Sequence, residues 1–452
     1  MNRNTNENFL DYKKRIIDSK SASFCGAKWY NATIWLGSGM TTSCHHPPAH
    51  PISLDAVKQN HKALHNTPHK KEMRRQMQVG QKPKECEYCW KIESIHEKNV
   101  SDRVFKTEIY SDEDLLKAFK ASADEDVNLK TLEIAFDRNC NFACSYCNAN
   151  FSTKWASDLV KNGPYQNLKS DGAGHFTSDG NESEPFKSTE NNPYIEAFWK
   201  WWPELSQTLQ EIRITGGEPL LNKNTWKFFD YFEKHHGSGN MIFAINSNLG
   251  ADDLYIDKLI DKSRHMNRLR LYTSCEASGA HAEYIRDGLN FEKWKSNLNK
   301  ILSNAKLESC NIMMTINSLC IFSIVSFLDD IMRIKMNYPV GRLNISVNIL
   351  RFPSFQSVLT LPLEMRIEKG RDLKLWLDNN KGNKFLSDFE IESLYRLVEY
   401  LQSADENPHS DTSRIDLRLN DFKYFYQQYD QRRGKSFENT FPPDLVSWYK
   451  TL

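Results

Sequence analysis

From Thr131 onward the chain alternates between short strand-like runs and helix-like stretches, and this alternation limits the possible folds more than any other feature. The strand-like runs occupy residues 132–136, 211–215, 241–246, 269–275, 311–316 and 343–350. Between them, residues 224–236, 252–262, 291–304 and 323–336 place apolar side chains at helical spacing. Six strands separated by helices imply right-handed βαβ crossovers and a mostly parallel sheet with helices outside it. A partial or closed barrel and a flat doubly wound sheet both satisfy that count. Residues 161–192 interrupt the pattern: they are rich in Gly, Ser, Asn and Asp and nearly free of aliphatic residues, which predicts a flexible insertion of the lid type. After residue 355 the alternation stops, and 391–401 reads as helix, so 356–452 is expected to be a helical tail.

The first hundred residues are of another kind. Seven of the thirteen histidines fall between His45 and His96, and Pro47, Pro48, Pro51, Pro68 and Pro83 break up regular structure. The run 33–36, the turn Gly37-Ser38-Gly39 and the run 40–44 suggest a hairpin. Of ten cysteines, Cys25, Cys44, Cys86 and Cys89 lie here, Cys140, Cys144 and Cys147 crowd into eight positions, and Cys275, Cys310 and Cys320 are scattered. The scattered three read as buried core thiols. No apolar run approaches the roughly 20 residues that span a bilayer, and residues 1–15 are Asn-rich and charged, without the apolar core of a secretory signal. A cytoplasmic protein with no membrane partner is expected, and in a reducing compartment clustered cysteines read as metal ligands. Lys plus Arg at 59 against Asp plus Glu at 58 leaves a net charge of +1, without the basic excess that general nucleic-acid binding needs.

Cys140-Asn-Phe-Ala-Cys144-Ser-Tyr-Cys147 directly follows the first strand of the alternating region, where parallel sheets build their sites. Three thiolates on one short loop can hold three irons of a 4Fe-4S cluster and leave the fourth iron open. The competing reading is a zinc knuckle with a fourth ligand from elsewhere. The second strand ends in Thr215-Gly216-Gly217-Glu218-Pro219, where two glycines permit close approach of a ligand to the backbone and a carboxylate can accept from an ammonium group.

A CxxxCxxC loop after the first strand, GGEP after the second and a six-fold βα succession together resemble the radical S-adenosylmethionine enzymes. The resemblance implies an α/β fold, a partial (βα)6 barrel over residues 125–355. It further implies that the open iron binds S-adenosylmethionine, whose one-electron reduction yields a 5'-deoxyadenosyl radical that abstracts hydrogen from a substrate. Carried over by position, Cys140, Cys144 and Cys147 are the cluster ligands and Tyr146 lies beside the adenine. Gly216, Gly217 and Glu218 meet the methionyl ammonium, and Ser247 and Asn248 lie near ribose and carboxylate. Ser274 and Glu276 close the fourth strand, and Arg286 pairs with the cofactor carboxylate; on spacing alone Arg286 is equally a solvated helix-face charge.

Residues 1–110, with Cys25, Cys44, Cys86 and Cys89, resemble the SPASM/twitch auxiliary-cluster module of many radical S-adenosylmethionine enzymes, although in those relatives the module usually follows the barrel. Four cysteines suffice for a second, fully ligated 4Fe-4S cluster or for a structural zinc, with His45 and His46 as polar neighbours that tune the site. The resemblance implies an external electron donor and a peptide or protein side chain as substrate. The other readings are a radical dehydrogenase of a sugar or alcohol, a non-catalytic iron-sulfur electron-transfer protein and a zinc-stabilised interaction module.

Overall fold

The structure, a computed structural model, describes all residues except 1, 2, 5, 97, 179–185, 187–189, 236 and 404–414. Its strands are β1 (Asn31–Trp35), β2 (Met40–Thr42), β3 (His50–Pro51), β4 (Thr131–Ala135), β5 (Ala143–Cys144), β6 (Glu211–Thr215), β7 (Ile242–Ser247), β8 (Leu269–Ser274), β9 (Arg286–Asp287), β10 (Ser309–Ile316) and β11 (Leu343–Ile349). The expected α/β class and the six strands of the alternating region are present, as β4, β6, β7, β8, β10 and β11. The chain forms two compact units, one from Met1–Asp137 and Glu184–Ile214, the other from Arg138–Ser183 and Thr215–Leu452. Within the first unit β4 and β6 pack with the amino-terminal residues, and within the second the carboxyl-terminal helices pack with the remaining strands.

In the first unit the strand order is β6-β4-β1-β2-β3. The hairpin expected at residues 33–44 forms, with Thr33 opposite Thr42 and Trp35 opposite Met40. On its other edge β1 runs parallel to β4, with Asn31 beside Thr131 and Ala135 beside Trp35. The alternate face of these strands is apolar: Ala32, Ile34, Leu132 and Ile134 are buried. The helix Pro193–Leu205 opens on an Asn192 cap whose side chain accepts from Tyr194 N–H and Ile195 N–H, and it buries Phe198, Trp201 and Trp202. That aromatic cluster is core packing, as its helical spacing suggests.

In the second unit β7, β8, β10 and β11 are parallel neighbours, with the helix Lys223–Lys234 before β7 and helices Asp253–Ser263, Phe291–Asn304 and Ile324–Lys335 between the strands in the chain. The alternation is strict in β10, where Cys310, Ile312, Met314 and Ile316 are fully buried. Cys275 and Cys320 are likewise buried core thiols. The helical tail is present as Leu363–Asn380, Asp388–Gln402, Ile415–Arg433, Phe437–Thr440 and Pro443–Thr451. Residues 179–185 and 187–189 of the expected flexible insertion lie outside the described residues. Before them, Tyr165 and Phe176 are buried and their rings meet Trp155 and Phe425. Asp171 accepts from Ser354 N–H and Oγ. These are packed residues rather than a free lid: aromatic side chains supply the apolar area that the missing aliphatics do not.

Candidate functional site

The cysteine loop is held by its neighbours from both ends. β5 pairs antiparallel with β9, placing Cys144 opposite Arg286, and Ser145 N–H donates to the Ile285 carbonyl at 2.7 Å. Trp155 Nε1 donates to the Cys144 carbonyl (2.9 Å) and Thr153 Oγ1 accepts from Cys140 N–H (3.1 Å). Gln356 exchanges hydrogen bonds with Ser145, its Nε2 donating to the carbonyl at 2.9 Å and its Oε1 accepting from the hydroxyl at 3.1 Å.

The GGEP turn locks onto this loop. Gly216 has φ +124, a conformation that favours glycine, and a Cβ on Gly217 would fall on the Asn139 carbonyl. That carbonyl accepts from Glu218 N–H at 2.6 Å. Glu218 is buried, and its carboxylate accepts from Ser247 Oγ (2.8 Å), Asn248 N–H (2.7 Å) and Leu220 N–H (3.0 Å). Burial still outweighs those three donors and raises its carboxyl to about 7. The side chain therefore ties the GGEP turn to the end of β7. The Asn248 amide continues the network by donating to Asn141 Oδ1 (2.8 Å), beside Cys140.

Arg286 is buried, not a solvated helix-face charge. Its Nη2 and Nε donate to Glu276 Oε2 at 2.5 and 3.1 Å, and its Nη1 lies 3.7 Å from Cys144 Sγ. Tyr146 Oη donates to Glu276 Oε1 at 3.2 Å, and the Arg286 guanidinium lies 5.5 Å from the Tyr146 ring centroid. Cys144, Tyr146, Glu276 and Arg286 thus form one connected group, and Gly216, Gly217, Glu218, Ser247 and Asn248 a second at the base of the same loop. Ser274 ends β8 beside Met313 and makes no hydrogen bond to either group. Asn139, Asn141, Thr153 and Gln356 were not singled out from sequence. The first two flank Cys140, which is the one signal that could have found them.

The donor set suits an iron-sulfur cluster. Burial pushes the Cys140 thiol up to about 12 and raises Cys147 still further, each thiol also opposed by its neighbours, while Arg286 partly offsets the rise at Cys144. Such thiols stay ionised only beside a compensating positive charge, which a bound metal provides.

Residues 134–331 match the Radical SAM superfamily model. The matched radical SAM region contains both groups described above and none of the amino-terminal cysteines. No curated protein sequence matches the chain. Among solved structures, SuiB from Streptococcus suis is similar at 13% identity and a TM-score of 0.36, over 63% of this chain and 57% of SuiB. This chain therefore spans little more than half of that protein. Native anSMEcpe with bound AdoMet and Cp18Cys peptide is similar at 11% identity and a TM-score of 0.32, over 71% of this chain and 99% of the other. TYW1 with a lysine-pyruvate adduct is similar at 17% identity and a TM-score of 0.29, over 55% and 74%.

The four amino-terminal cysteines line one small cavity in the first unit. Cys25 precedes the helix Ala27–Tyr30, Cys44 follows β2, and Cys86 and Cys89 lie three residues apart where the helix Glu87–Ile95 begins, so their side chains share a face. Burial lifts the Cys86 thiol up to about 12, against the pull of Lys28, and the Cys89 thiol up to about 11, against a hydrogen bond from Ser101. Lys28, on the same wall, is buried and ion-paired with Glu85. Both His45 and His46 Nε2 atoms meet Asp102 Oδ2, at 3.1 and 2.8 Å, and His46, which lines the same cavity, stacks on Tyr88. Among the described residues no helix is long and apolar enough to cross a membrane.

Proposed function

We propose that the chain is a radical S-adenosylmethionine enzyme that cleaves its cofactor reductively, abstracts hydrogen from a peptide or protein side chain and leaves that side chain oxidised or otherwise modified. The observation that carries this reading is the buried triplet of Cys140, Cys144 and Cys147, braced by Arg286, Glu276 and the GGEP turn within the matched region. The group these cysteines suit is a 4Fe-4S cluster with one open iron, which supplies one-electron reduction to bound S-adenosylmethionine. Around it, the Tyr146 ring and the Arg286–Glu276 ion pair lie beside Cys144, and the Gly216-Gly217 backbone packs against the start of the cysteine loop. An external electron donor supplies the reducing electron, and ten free cysteines suit a cytoplasmic, reducing setting.

The amino-terminal residues are part of the same proposal, as a SPASM/twitch-like module with a second 4Fe-4S cluster. Four cysteines around one cavity supply the full ligand set of a 4Fe-4S cluster or of a zinc ion, and the resemblance to the auxiliary-cluster module favours the cluster.

Two measurements test the reading. Anaerobically reconstituted protein with dithionite and S-adenosylmethionine is expected to release 5'-deoxyadenosine, and no release by the wild type refutes the assignment. With Cys140, Cys144 and Cys147 all changed to Ala, about four irons and four sulfides per chain are expected to remain. Loss of all iron with about one zinc retained makes the module a structural clamp.

A further inference from the structure

The first unit contains a cavity of about 420 Å³. One wall is a strand face: Thr33 of β1 pairs with Glu133 of β4, so the two side chains point the same way, and Arg213 of β6 lies on this wall too. Lys106 and Tyr110 line the cavity as well, from the segment after the helix Asp102–Phe105. Cys44 and Lys106 line both this cavity and the one that the four cysteines surround. The two spaces therefore share a wall.

Two charged groups on the cavity lie near opposite charges without touching them. Arg213 meets Glu211 at 3.2 Å, but among the described residues the Glu133 carboxylate and the Lys106 ammonium make no hydrogen bond or ion pair. Glu133 is half-buried, and burial is the largest influence on its carboxyl and pushes it up, against the nearby cations of Arg213, Lys106 and His45. Lys106 is half-buried as well, and a partly desolvated charge with no direct hydrogen bond is one that a ligand can stabilise. A cavity holding one such group of each sign is complementary to a ligand carrying both. Trp35 and Ile109 add apolar surface, and Asn31 and Thr42 add hydrogen-bonding groups.

We propose that this cavity binds a zwitterionic ligand, an amino acid or short peptide, with its ammonium on Glu133 and its carboxylate on Lys106. As the substrate subsite of a radical enzyme the proposal rests on the function proposed above; as a binding site it does not. The test is calorimetry on the anaerobically reconstituted full chain, with the twenty L-amino acids and Gly-X-Gly tripeptides with free termini as probes. Each probe that binds is then compared with its N-acetylated and C-amidated forms in wild type, Glu133→Gln and Lys106→Met. N-acetylation and Glu133→Gln should each weaken binding roughly tenfold or more, the usual scale for a lost charge-assisted hydrogen bond, and should show no further loss when combined. C-amidation and Lys106→Met should behave the same way. Binding by free amino acids points to a small-molecule substrate, and binding by tripeptides alone to a peptide. If no probe binds, or if both variants bind as the wild type does, the subsite is refuted. Zwitterion binding without 5'-deoxyadenosine release leaves the subsite standing and removes the enzyme reading. Release of 5'-deoxyadenosine without zwitterion binding does the reverse.

Discussion

Glu218 allows a quantitative test of how the GGEP turn is built. Its carboxyl moves from an ordinary 4.5 to about 7 because it is buried, and Ser247, Asn248 and Leu220 recover only part of the lost hydration. Each pKa unit is 1.36 kcal/mol, so the ionised side chain costs the folded state about 3 kcal/mol. The sign follows from linkage. Between pH 4.5 and about 7 the folded chain holds a proton that the unfolded chain has released, so stability present at low pH is lost as pH rises through that window. Glu218→Gln abolishes the titration while keeping the shape. It also turns one acceptor into a donor facing Asn248 N–H or Ser247 Oγ, at a pH-independent cost of about 1–3 kcal/mol. Urea unfolding of the metal-free wild type and Glu218→Gln, followed by tryptophan fluorescence from pH 5 to 8.5, should show the wild type losing about 3 kcal/mol relative to the variant as pH rises. Parallel pH profiles for the two proteins would mean that Glu218 ionises in the fold without penalty, and the desolvation argument would fail.

Gly217→Ala should leave far-ultraviolet circular dichroism unchanged but reduce the iron retained by the Cys140 loop, because the new methyl group meets the Asn139 carbonyl and overpacking of this kind costs about 1–3 kcal/mol; full iron retention would count against the contact. Lys335 and Glu390 are both buried and meet at 2.6 Å. Glu390 also accepts from Ile345 N–H and from Ser387 in a capping box. Glu390→Ala is expected to destabilise by about 3–5 kcal/mol in denaturant melts because it strands the ammonium, and an equally small effect in Glu390→Ala and Lys335→Met would contradict this. Arg103 is buried, with Glu93 at 2.7 Å and Asp18 at 3.0 Å, and its guanidinium also donates to the Phe24 carbonyl. Arg103→Ala should cost a similar amount and lower iron retention in the Cys140/Cys144/Cys147→Ala background, since the side chain lines the four-cysteine cavity.

The parts legible in the sequence are those set by local pattern. Alternating strands and helices, the hairpin at residues 33–44 and the CxxxCxxC loop each occupy a few consecutive residues and need no distant partner to be recognised. The parts that were not legible depend on contacts between remote residues. The parallel pairing of β1 with β4 joins positions about 100 residues apart, and nothing in the five residues of β1 names that partner. Arg286 follows a short helix, and only its pairing across to Cys144 makes it a buried cation. Glu218 was expected to meet an ammonium group; its three acceptor contacts come from residues two and about thirty positions away. Tyr165 and Phe176 lie in a polar stretch whose composition predicts flexibility, and their anchorage on Trp155 and Phe425 depends on a helix more than 200 residues downstream.

The parallel edge between β1 and β4 also has a thermodynamic consequence. Asn31 and Thr131 are adjacent in the sheet, so the chain between them is a loop of about 100 residues whose closure is unfavourable before any strand hydrogen bond forms. Cys44, Cys86 and Cys89 lie inside that loop and Cys25 lies just before it. A metal centre gathering all four would shorten the free segment to the roughly 40 residues from Cys89 to Thr131, which lowers the closure cost and couples metal loading to assembly of the sheet. The four cysteines precede β4 in the order of synthesis, so a centre loaded on the nascent chain would be in place before the strand it helps to seat has emerged.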